Sequence, residues 1–401
     1  MKGHILVIAD GRSPTALSWI ENVKSLGYKI SLVSTYPCEP PEGLNQFHML
    51  PIAFSRFSGR SATKKTPSSD RPMRSFIRRF SPTLQKLRYF LGPLTLVRQR
   101  ANFQRIVNDI QPDLVHALRI PFEGMLGSYT PAEFPFLAAT WGNDLTLHAK
   151  GSLLMKIFTR RCLKRADGLT SDTHRDVRLS RTWGLDADAP ALVIPGSGGL
   201  DLEAIQQAGP FNTGQFGIMG HGNWVVNPRG FRYGSVRQDV FFAAIPKVLE
   251  ERPDTSFICP GMAGKKQAHE WVRQFGIGTQ TFLLPQLEQP QLWALFKRSQ
   301  VFVSPSVHDG TPNALLEAMA CGCLPVVGDI ESLREWIQHN KNGLLVDPTD
   351  PDSLAEAIIL ALDRPAFHQQ AAEINLTMIE ERAAQSAARM KIDRFYSQFL
   401  G

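Results

Sequence analysis

Two acidic side chains stand on either side of a predicted helix start in the last third of the chain. Asp309 comes just before the helix and Glu317 one to two turns into it. Thr311 is expected to be the N-cap and Pro312 the first helical residue, because the missing N–H of proline has no partner there. Amides at a helix start, aided by the helix dipole, bind anions such as a pyrophosphate. The expected anion site consists of the amides of Thr311, Asn313, Ala314 and Leu315, and Gly310 and Pro312 are expected to line the same binding site.

A strand–turn–helix–strand unit has to hold these residues in place. An apolar strand at residues 301–303 runs into the polar turn, and the helix ends near Gly322 before a second apolar strand at 325–328. One carboxylate is then level with the anion site and the other lies to one side. This arrangement suits the binding of two sets of sugar hydroxyls.

The stretch from Ser304 to Gly328 resembles the donor-binding motif of family-4 glycosyltransferases, which have the GT-B fold. The family pattern is E-G-F-G-x-x-x-x-E-A-M-A-x-G-x-P-V. Asp309 stands at its first glutamate and Glu317 matches the second, while Thr311-Pro312 replaces Phe-Gly. The resemblance implies that Glu317 binds the ribose hydroxyls of a nucleotide sugar and Asp309 the 3- and 4-hydroxyls of the sugar. It also implies retention of the anomeric configuration, with neither a metal ion nor another cofactor.

Cationic side chains are expected to relieve the charge on the departing diphosphate. The family has an arginine and a lysine a few residues apart, after the first strand of its second domain. Arg229 follows the apolar pair Val225-Val226 and resembles that arginine. The lysine has no direct equivalent, so Arg237 is the first candidate for its role and Arg232 the second. We expect the catalytic group to consist of Asp309, Arg229 and Arg237.

Candidates for the acceptor side lie in the first half of the chain, at predicted strand ends. The first strand is followed by Gly11, Arg12 and Ser13, in a turn that approaches the donor phosphate and the acceptor in the family. A later strand is followed by TWGND, in which Trp141 stands where family members often have a histidine. Asp144 is therefore the polar candidate there. His116 also ends a strand, and packing is the more frequent role for such a histidine.

Strands and helices alternate on both sides of a Gly- and Pro-rich stretch at residues 186–222. Repeated βα units without hairpin signals predict parallel, doubly wound sheets. Together with the resemblance, this predicts an α/β protein of the GT-B fold with two Rossmann-like domains facing across a cleft. The acceptor-binding domain is expected at residues 1–195, with a helix at 378–401 crossing back to it. The donor-binding domain is expected at residues 196–377.

The composition is that of a soluble globular protein. The chain has 401 residues, of which 43% are hydrophobic and 20% charged. No apolar run approaches the ~20 residues that span a bilayer, and the run at residues 5–9 is too short for a signal-peptide core. Five scattered cysteines predict neither a disulfide framework nor a metal site. We expect a cytoplasmic location.

The net charge of +7 is concentrated in one segment. Residues 56–105 contain thirteen Lys and Arg against a single acid, Asp70. In residues 71–105, helical patterns interrupted by Pro82 and Pro93 combine basic residues with Phe and Leu, which favours docking on an anionic membrane over nucleic-acid binding. A solvated basic face is the alternative. The basic residues of this segment are Arg71, Arg74, Arg78, Arg79, Lys86, Arg88, Arg98, Arg100 and Arg105.

The expected activity is the transfer of a sugar from a nucleotide-diphosphate sugar to a hydroxyl acceptor, which can be lipid-linked, in the synthesis of a cell-surface glycan, polysaccharide or glycolipid. Two other functions stay open: a nucleotide-sugar epimerase of the same fold, and a sugar-nucleotide binding protein without turnover. A glycosidase also uses paired carboxylates. It has no need of an anion-binding helix start, so the pattern fits that class poorly.

Overall fold

The computed structural model describes residues 2–55, 81–218 and 222–400, with the side chains of residues 81–87 left out. The chain forms two compact units. The first consists of Met1–Gly198 and Ala388–Gly401, and the second of Gly199–Ala387. The boundary between the units lies at residues 198 and 199, and residues 378–387, which the sequence analysis assigns to the helix that crosses back, lie in the second unit.

The first unit is built on a seven-stranded parallel sheet in the order β3-β2-β1-β4-β5-β6-β7. Its strands are β1 (His4–Ala9), β2 (Lys29–Ser34), β3 (Gln46–Met49), β4 (Leu114–Ala117), β5 (Phe136–Thr140), β6 (Gly168–Ser171) and β7 (Ala191–Val193). Its helices are α1 (Pro14–Ser25), α2 (Ser81–Ile110), α3 (Leu153–Arg165) and α4 (His174–Trp183). Shorter helical turns lie at Ile120–Gly124, Met125–Gly127 and His148–Lys150. The strand order reverses between β1 and β4.

Apolar side chains cover both faces of this sheet. On one face, Phe103 of α2 and Phe136 of β5 belong to a single buried cluster. On the other, Trp19 of α1 packs with Tyr396 near the end of the chain, and its indole N–H donates to the Tyr396 hydroxyl at 3.0 Å. The end of the chain therefore completes the core of the first unit.

The second unit has a six-stranded parallel sheet in the order β10-β9-β8-β11-β12-β13. The strands are β8 (Trp224–Val226), β9 (Ser256–Cys259), β10 (Thr281–Leu283), β11 (Val301–Ser304), β12 (Leu324–Gly328) and β13 (Leu344–Val346). The helices are α5 (Leu202–Gln207), α6 (Gln238–Glu251), α7 (Lys266–Gln274), α8 (Gln289–Arg298), α9 (Asn313–Ala320), α10 (Glu331–Arg334), α11 (Pro351–Asp363) and α12 (Pro365–Arg382). A short turn lies at Gly214–Phe216, and α13 (Gln385–Tyr396) leads back to the first unit. Here the strand order reverses between β8 and β11.

One sequence expectation about helices is wrong. The segment from residue 81 to 110 is a single helix, α2, which continues through Pro93 rather than ending there. Tertiary contacts of the flanking turns override the local penalty of the proline, since Leu96, Phe103 and Val107 are all buried in the core. Of the described helices, none is both long enough and apolar enough to cross a membrane.

Candidate functional site

Each sheet directs its functional residues to its carboxyl edge. In an open parallel sheet, ligands bind outside the carboxyl ends of the strands, at the point where the strand order reverses. In the second unit this point lies between β8, which is followed by Arg229, and β11, which is followed by Asp309. The two residues are 80 positions apart in the sequence and are brought together by this topology.

Asp309 is held from several sides. It is 8% exposed, and its carboxylate accepts hydrogen bonds from the Arg229 guanidinium and, at 3.2 Å, from the Ser306 hydroxyl. The backbone N–H of Gly310 donates to the same carboxylate at 3.1 Å, and the Ser332 hydroxyl donates to the Asp309 carbonyl at 2.8 Å. Asp309 therefore has a fixed orientation before any ligand is bound.

One hydrogen-bond donor of the Arg229 side chain is unsatisfied in the described structure. The residue is 8% exposed, and its Nη2 donates to Asp309. Its Nε is buried and has no hydrogen-bond partner among the described residues. A buried charged donor without a partner is costly, by about 1–3 kcal/mol or more, so such groups occur where a ligand or a water completes them. The position predicted for the arginine of the diphosphate clamp thus carries an incomplete hydrogen-bond set.

A buried amide network that the sequence did not reveal supports the loop carrying Arg229. The side chain of Asn227 donates to Gln238 Oε1 at 2.7 Å, and Gln238 Nε2 donates to the Gly230 carbonyl at 2.6 Å. Asn227 Oδ1 also accepts from the Arg229 backbone N–H at 3.2 Å. Both amide side chains are buried, so they fix the path of the loop from its two ends.

The start of α9 differs in detail from the prediction. The helix begins at Asn313, and Pro312 occupies the N-cap position with an extended backbone. Thr311 does not cap it, because its hydroxyl accepts the indole N–H of Trp336 at 2.9 Å. The amide of Leu315 donates to the Pro312 carbonyl at 2.9 Å, which removes it from the expected anion donors. Asn313 and Ala314, both half-buried, are the first-turn residues of the helix.

The far end of α9 closes as the sequence predicts. Gly322 adopts φ +86°, a conformation that favours glycine, and its N–H donates to the Met319 carbonyl at 3.1 Å. The N–H of Cys323 donates to the Ala318 carbonyl at 2.9 Å, which completes a Schellman-type end. Cys321 and Cys323 are thus residues of a tight helix exit.

Glu317 is 5% exposed on α9. Its Oε1 accepts a hydrogen bond from Gln289 at the start of α8, at 2.9 Å. Burial raises the pKa of Glu317 to about 7, and the hydrogen bond from Gln289 offsets part of that effect. The side chain therefore changes its charge near neutral pH, and a ligand that donates hydrogen bonds to it would favour the ionised form.

Arg237, the second predicted cation, forms an ion pair with Asp239. Arg237 pairs with Asp239, whose carboxylate lies 2.6 Å from the Arg237 Nη2, and its side chain is 38% exposed. Its backbone N–H donates to the Pro305 carbonyl at 3.0 Å, which places the residue beside the turn that carries Asp309. Arg232 is exposed on the same loop. Of the predicted arginines, Arg229 is paired with Asp309 and Arg237 with Asp239.

In the first unit, the turn after β1 is packed against the end of β2. The Gly11 N–H donates to the Ser34 hydroxyl at 3.1 Å, and a Cβ atom on Gly11 would lie 2.6 Å from the Cys38 sulfur. Ser13 caps α1 by accepting the Ala16 N–H. Arg12 pairs with Asp10 through two hydrogen bonds of 3.0 Å.

Two arginines lie against one tyrosine at this edge. The Arg12 guanidinium is 4.0 Å from the centre of the Tyr36 ring, and that of Arg88 is 5.5 Å from it. Arg88 also lies 4.5 Å from the Phe122 ring. Sequence reasoning placed Arg88 in the basic segment, but its side chain is half-buried here because the aromatic rings hold it at the sheet edge.

The turn after β4 is strained, and Asp144 holds it. Arg119 has φ +116° and Phe122 φ +70°, conformations that cost free energy for residues other than glycine. The Asp144 carboxylate accepts the Arg119 Nε at 2.9 Å, the Ile120 N–H at 3.3 Å and the Trp141 N–H at 3.1 Å. The side chain of Asp144 is 0% exposed, so it acts through Arg119 and the backbone rather than by direct contact with a ligand.

His116 is a packed residue and not an acceptor contact, because it is fully buried. Its ring nitrogens lie 2.8 Å from the Tyr396 hydroxyl and 3.1 Å from the Thr170 hydroxyl, and burial lowers its pKa to about 3. Sequence reasoning missed Glu123, whose carboxylate accepts the Thr35 hydroxyl at 2.6 Å. Burial raises the pKa of Glu123 to about 7.

Comparison with known proteins finds sequence similarity within the second unit. Residues 234–377 match the family model of the glycosyl transferases group 1. An uncharacterised glycosyltransferase of Methanocaldococcus jannaschii is 32% identical over 127 residues, which are 31% of this chain and 32% of that protein. A glycogen synthase of Mycobacterium tuberculosis is 29% identical over 134 residues, or 32% of each chain. The chain thus spans about a third of the length of these curated relatives.

Solved structures cover nearly the whole chain. A sucrose-phosphate synthase of Thermosynechococcus elongatus has a TM-score of 0.72 at 15% identity and covers 98% of both chains. HepE of Anabaena, solved in complex with UDP and glucose, has a TM-score of 0.72 at 14% identity, over 99% of this chain and 100% of that one. The chain has the GT-B fold. Among the described residues, no group of three or more His, Cys, Asp or Glu side chains is placed to hold a metal ion.

Proposed function

We propose that the protein is a glycosyltransferase that moves a sugar from a nucleoside-diphosphate sugar to a hydroxyl acceptor. The observation that carries this proposal is the pair of Arg229 and Asp309 at the carboxyl edge of the second sheet, next to the start of α9. A buried guanidinium with an unused donor is suited to a diphosphate oxygen. The carboxylate beside it is suited to sugar hydroxyls.

The diphosphate belongs between Arg229 and the first turn of α9. There the helix dipole and the first-turn amides add to the positive charge of the guanidinium. When the bond from the anomeric carbon to the diphosphate breaks, negative charge grows on the departing oxygen. Groups that are already oriented stabilise this charge without the cost of reorganisation. The second cation of the clamp is Arg237, which would exchange Asp239 for the ligand.

The two carboxylates divide the rest of the donor between them. Glu317 accepts hydrogen bonds from the ribose hydroxyls, in place of the one that Gln289 donates to it in this structure. Asp309, which is paired with Arg229, accepts hydrogen bonds from hydroxyls of the transferred sugar. UDP and UDP-glucose are the first nucleotides to test, because HepE of Anabaena was solved in complex with each of them. The base and the sugar for this chain are left for that test to decide.

The acceptor binds at the carboxyl edge of the first sheet, near Arg12, Tyr36 and Trp141. The acceptor oxygen forms the new bond to the anomeric carbon, on the face from which the diphosphate leaves, and its proton passes to a diphosphate oxygen. The reaction is therefore a retaining transfer that requires no metal ion. Its product belongs to a glycan, a polysaccharide or a glycolipid.

The test has two stages. A thermal-shift screen of the full-length protein with UDP-glucose, GDP-mannose and ADP-glucose, and with the matching diphosphates, identifies the base. Transfer is then followed by release of the diphosphate from the selected donor with a panel of acceptors, with EDTA and with added Mg²⁺ or Mn²⁺. Proton NMR of the product gives the anomeric configuration. We expect turnover in EDTA and a product with the configuration of the donor.

Three outcomes would overturn parts of the proposal. Isomerised donor in the absence of acceptor would indicate an epimerase. Tight nucleotide binding without turnover on any acceptor would indicate a sugar-nucleotide binding protein. Transfer that EDTA abolishes and Mg²⁺ or Mn²⁺ restores would contradict the metal-independent mechanism.

A further inference from the structure

Exposed apolar side chains concentrate on two helices of the first unit. Eleven large apolar side chains are exposed among the described residues, and six of them lie on α2 and α3. On α2 they are Phe90, Leu91, Leu94 and Val97, exposed by 56%, 41%, 47% and 52%. On α3 they are Leu153 and Ile157, exposed by 71% and 50%. Scattered single residues of this kind are ordinary, but a cluster on one surface indicates a binding face.

The two helices lie side by side along this surface. Near the start of α3, the Ser152 hydroxyl donates to the Tyr89 carbonyl at 2.7 Å, and the Tyr89 hydroxyl lies 2.6 Å from His148 Nδ1. About two and a half to three turns further along, the guanidinium groups of Arg100 and Arg161 lie 5.5 and 3.7 Å from the centre of the same Tyr129 ring. Both helices bury their inner sides in the same apolar cluster, so we infer that their exposed apolar residues share one outer surface.

Basic residues surround the apolar ones. The exposed positions of α3 are Leu153, Lys156, Ile157, Arg160, Arg161 and Lys164, which are two aliphatic and four basic residues without an acid. From residue 90 to 105, the exposed positions of α2 include Arg98, Arg100 and Arg105, again without an acid. Long basic side chains can lay their stems on apolar surface while the charges reach the phosphates above it.

We propose that this α2–α3 face docks the first unit on an anionic lipid bilayer. The apolar residues enter the interface between headgroups and acyl chains, and the surrounding Lys and Arg contact anionic headgroups. A soluble polyanion would use the charges but would leave the six apolar side chains in water. A second copy of the chain, docking through the same face, would bring like charges together. The bilayer alone satisfies both kinds of side chain.

The sequence-based prediction includes only one of the two segments that form this surface. Arg71, Arg74, Arg78 and Arg79 lie outside the described residues, and Arg88 turns inward onto aromatic rings. The exposed basic residues of α3, at positions 156 to 164, add to Arg98, Arg100 and Arg105 of α2. Folding therefore builds the basic and apolar surface from two segments, only one of which is conspicuous in the sequence.

Vesicle co-sedimentation of the full-length protein tests the proposal. The vesicles are phosphatidylcholine alone and a mixture with about one third phosphatidylglycerol, each at low and high salt. Two double variants separate the contributions: Leu153→Ser with Ile157→Ser, and Lys156→Gln with Arg160→Gln. The matched controls are Met390→Ser, 70% exposed on α13, and Lys266→Gln, whose side chain is 88% exposed in the second unit.

We expect binding to the anionic vesicles that weakens with salt, a roughly tenfold weaker partition for the apolar double variant, and a roughly 25-fold weaker one for the basic double variant. The basic variant loses binding because each Lys or Arg near an anionic surface is worth about a factor of five. The control variants bind like the wild type. Circular dichroism melts serve to check that every variant is folded. We expect all of them to be folded because the substituted side chains are exposed.

Several results would overturn the inference. These are absence of binding to either vesicle, equal binding to both, or equal losses in the double variants and the controls. Self-association that the double variants abolish, without vesicle binding, would assign the face to a second copy of the chain. The measurement uses neither donor nor acceptor, so its failure is distinguishable from failure of the proposed transferase activity.

Discussion

The carboxyl edges of the two sheets carry the same kinds of charged groups, but these groups differ in the hydrogen bonds that they already form. Each edge has an arginine–aspartate pair, Arg119–Asp144 in the first unit and Arg229–Asp309 in the second. Each edge also has a buried glutamate, Glu123 or Glu317, whose pKa burial raises to about 7. Fold topology accounts for this parallel, since both sheets reverse their strand order at that edge.

The two pairs differ in the hydrogen-bonding capacity that remains for a ligand. Asp144 has no exposed surface, and its carboxylate is already occupied by one guanidinium and two backbone amides. The Arg229–Asp309 pair retains a buried Nε without a partner among the described residues. We interpret the first pair as one that stabilises a turn, and we propose that the second pair is a binding element. An ion pair by itself therefore does not distinguish structure from function, but its remaining hydrogen-bond capacity does.

The largest effect is expected from Arg229→Met. In the proposed mechanism this substitution removes the charge that faces the departing diphosphate, and groups of this kind contribute about 10²–10³ to the rate. Because donor binding weakens as well, we expect kcat/KM for transfer to fall by roughly a thousandfold. Steady-state kinetics with the donor from the screen measure it. Arg229→Lys should recover only part of the loss, because an ammonium cannot bridge two oxygens as the guanidinium does.

Arg334→Met is the matched control for that substitution. Arg334 pairs with Asp329 at the surface of the same unit, with side chains 61% and 36% exposed. Because exposed pairs contribute little to stability and Arg334 is not a predicted site residue, activity should stay within twofold of the wild type. A folded Arg229→Met protein that keeps kcat/KM within tenfold of the wild type would contradict the role of the incomplete pair.

Asp144→Ala should act on stability instead. It leaves Arg119 without its partner and removes the acceptor of two backbone amides in a strained turn. Breaking a buried pair costs about 3–5 kcal/mol, and we expect about 3 kcal/mol because the Arg119 side chain is 40% exposed and can gain water. Urea unfolding followed by circular dichroism measures this loss in the first unit.

Nucleotide binding in the second unit supplies the contrast for Asp144→Ala. Isothermal titration calorimetry should give the wild-type dissociation constant for the diphosphate. Asp329→Ala, which breaks the surface pair with Arg334, should cost less than about 1 kcal/mol of stability. If Asp144→Ala were as stable as the wild type, or if it lost nucleotide affinity while folded, the distinction between the two pairs would fail.

The second edge was largely predictable from the sequence and the first was not. Asp309 and Glu317 lie in one βα unit, so their spacing is visible locally, and Arg229 is found from its place after β8. The Thr35–Glu123 contact joins residues 88 positions apart, and no local pattern signals such a contact. The same limit explains the error at Thr311, whose hydroxyl is engaged by Trp336, 25 positions later.

The strands and helices followed from periodicity more reliably than the site residues did. The strands Val301–Ser304 and Leu324–Gly328 lie where the apolar runs at residues 301–303 and 325–328 predict them. Gly168–Ser171, with two polar residues, and Gln46–Met49, which is not buried, carry no comparable apolar signal. Elements with an apolar pattern can thus be predicted from the sequence, whereas strands that form only through pairing with their neighbours in the sheet cannot.

The smallest expected effect concerns the two glutamates and the pH. In the absence of ligand, burial raises the pKa of Glu317 to about 7, so its neutral form is favoured at low pH. Ribose hydroxyls that donate to its carboxylate favour the ionised form, lower the pKa and release a proton. Donor affinity should therefore increase as the pH rises from 6 to 8, by roughly tenfold. Calorimetry in buffers of different ionisation enthalpy should detect the released proton.

The choice of ligand and variants makes this pH effect specific to Glu317. An intact nucleotide sugar serves as ligand, because its diphosphate does not titrate between pH 6 and 8 as the terminal phosphate of a free diphosphate does. Glu317→Gln should bind more weakly at pH 8 and lose the pH dependence. Glu123→Gln removes the buried glutamate of the other edge, whose pKa is also raised to about 7, and should keep that dependence. If Glu317→Gln retained the tenfold change, the titrating group would lie elsewhere, and loss of the change in Glu123→Gln would place it at the edge of the first sheet.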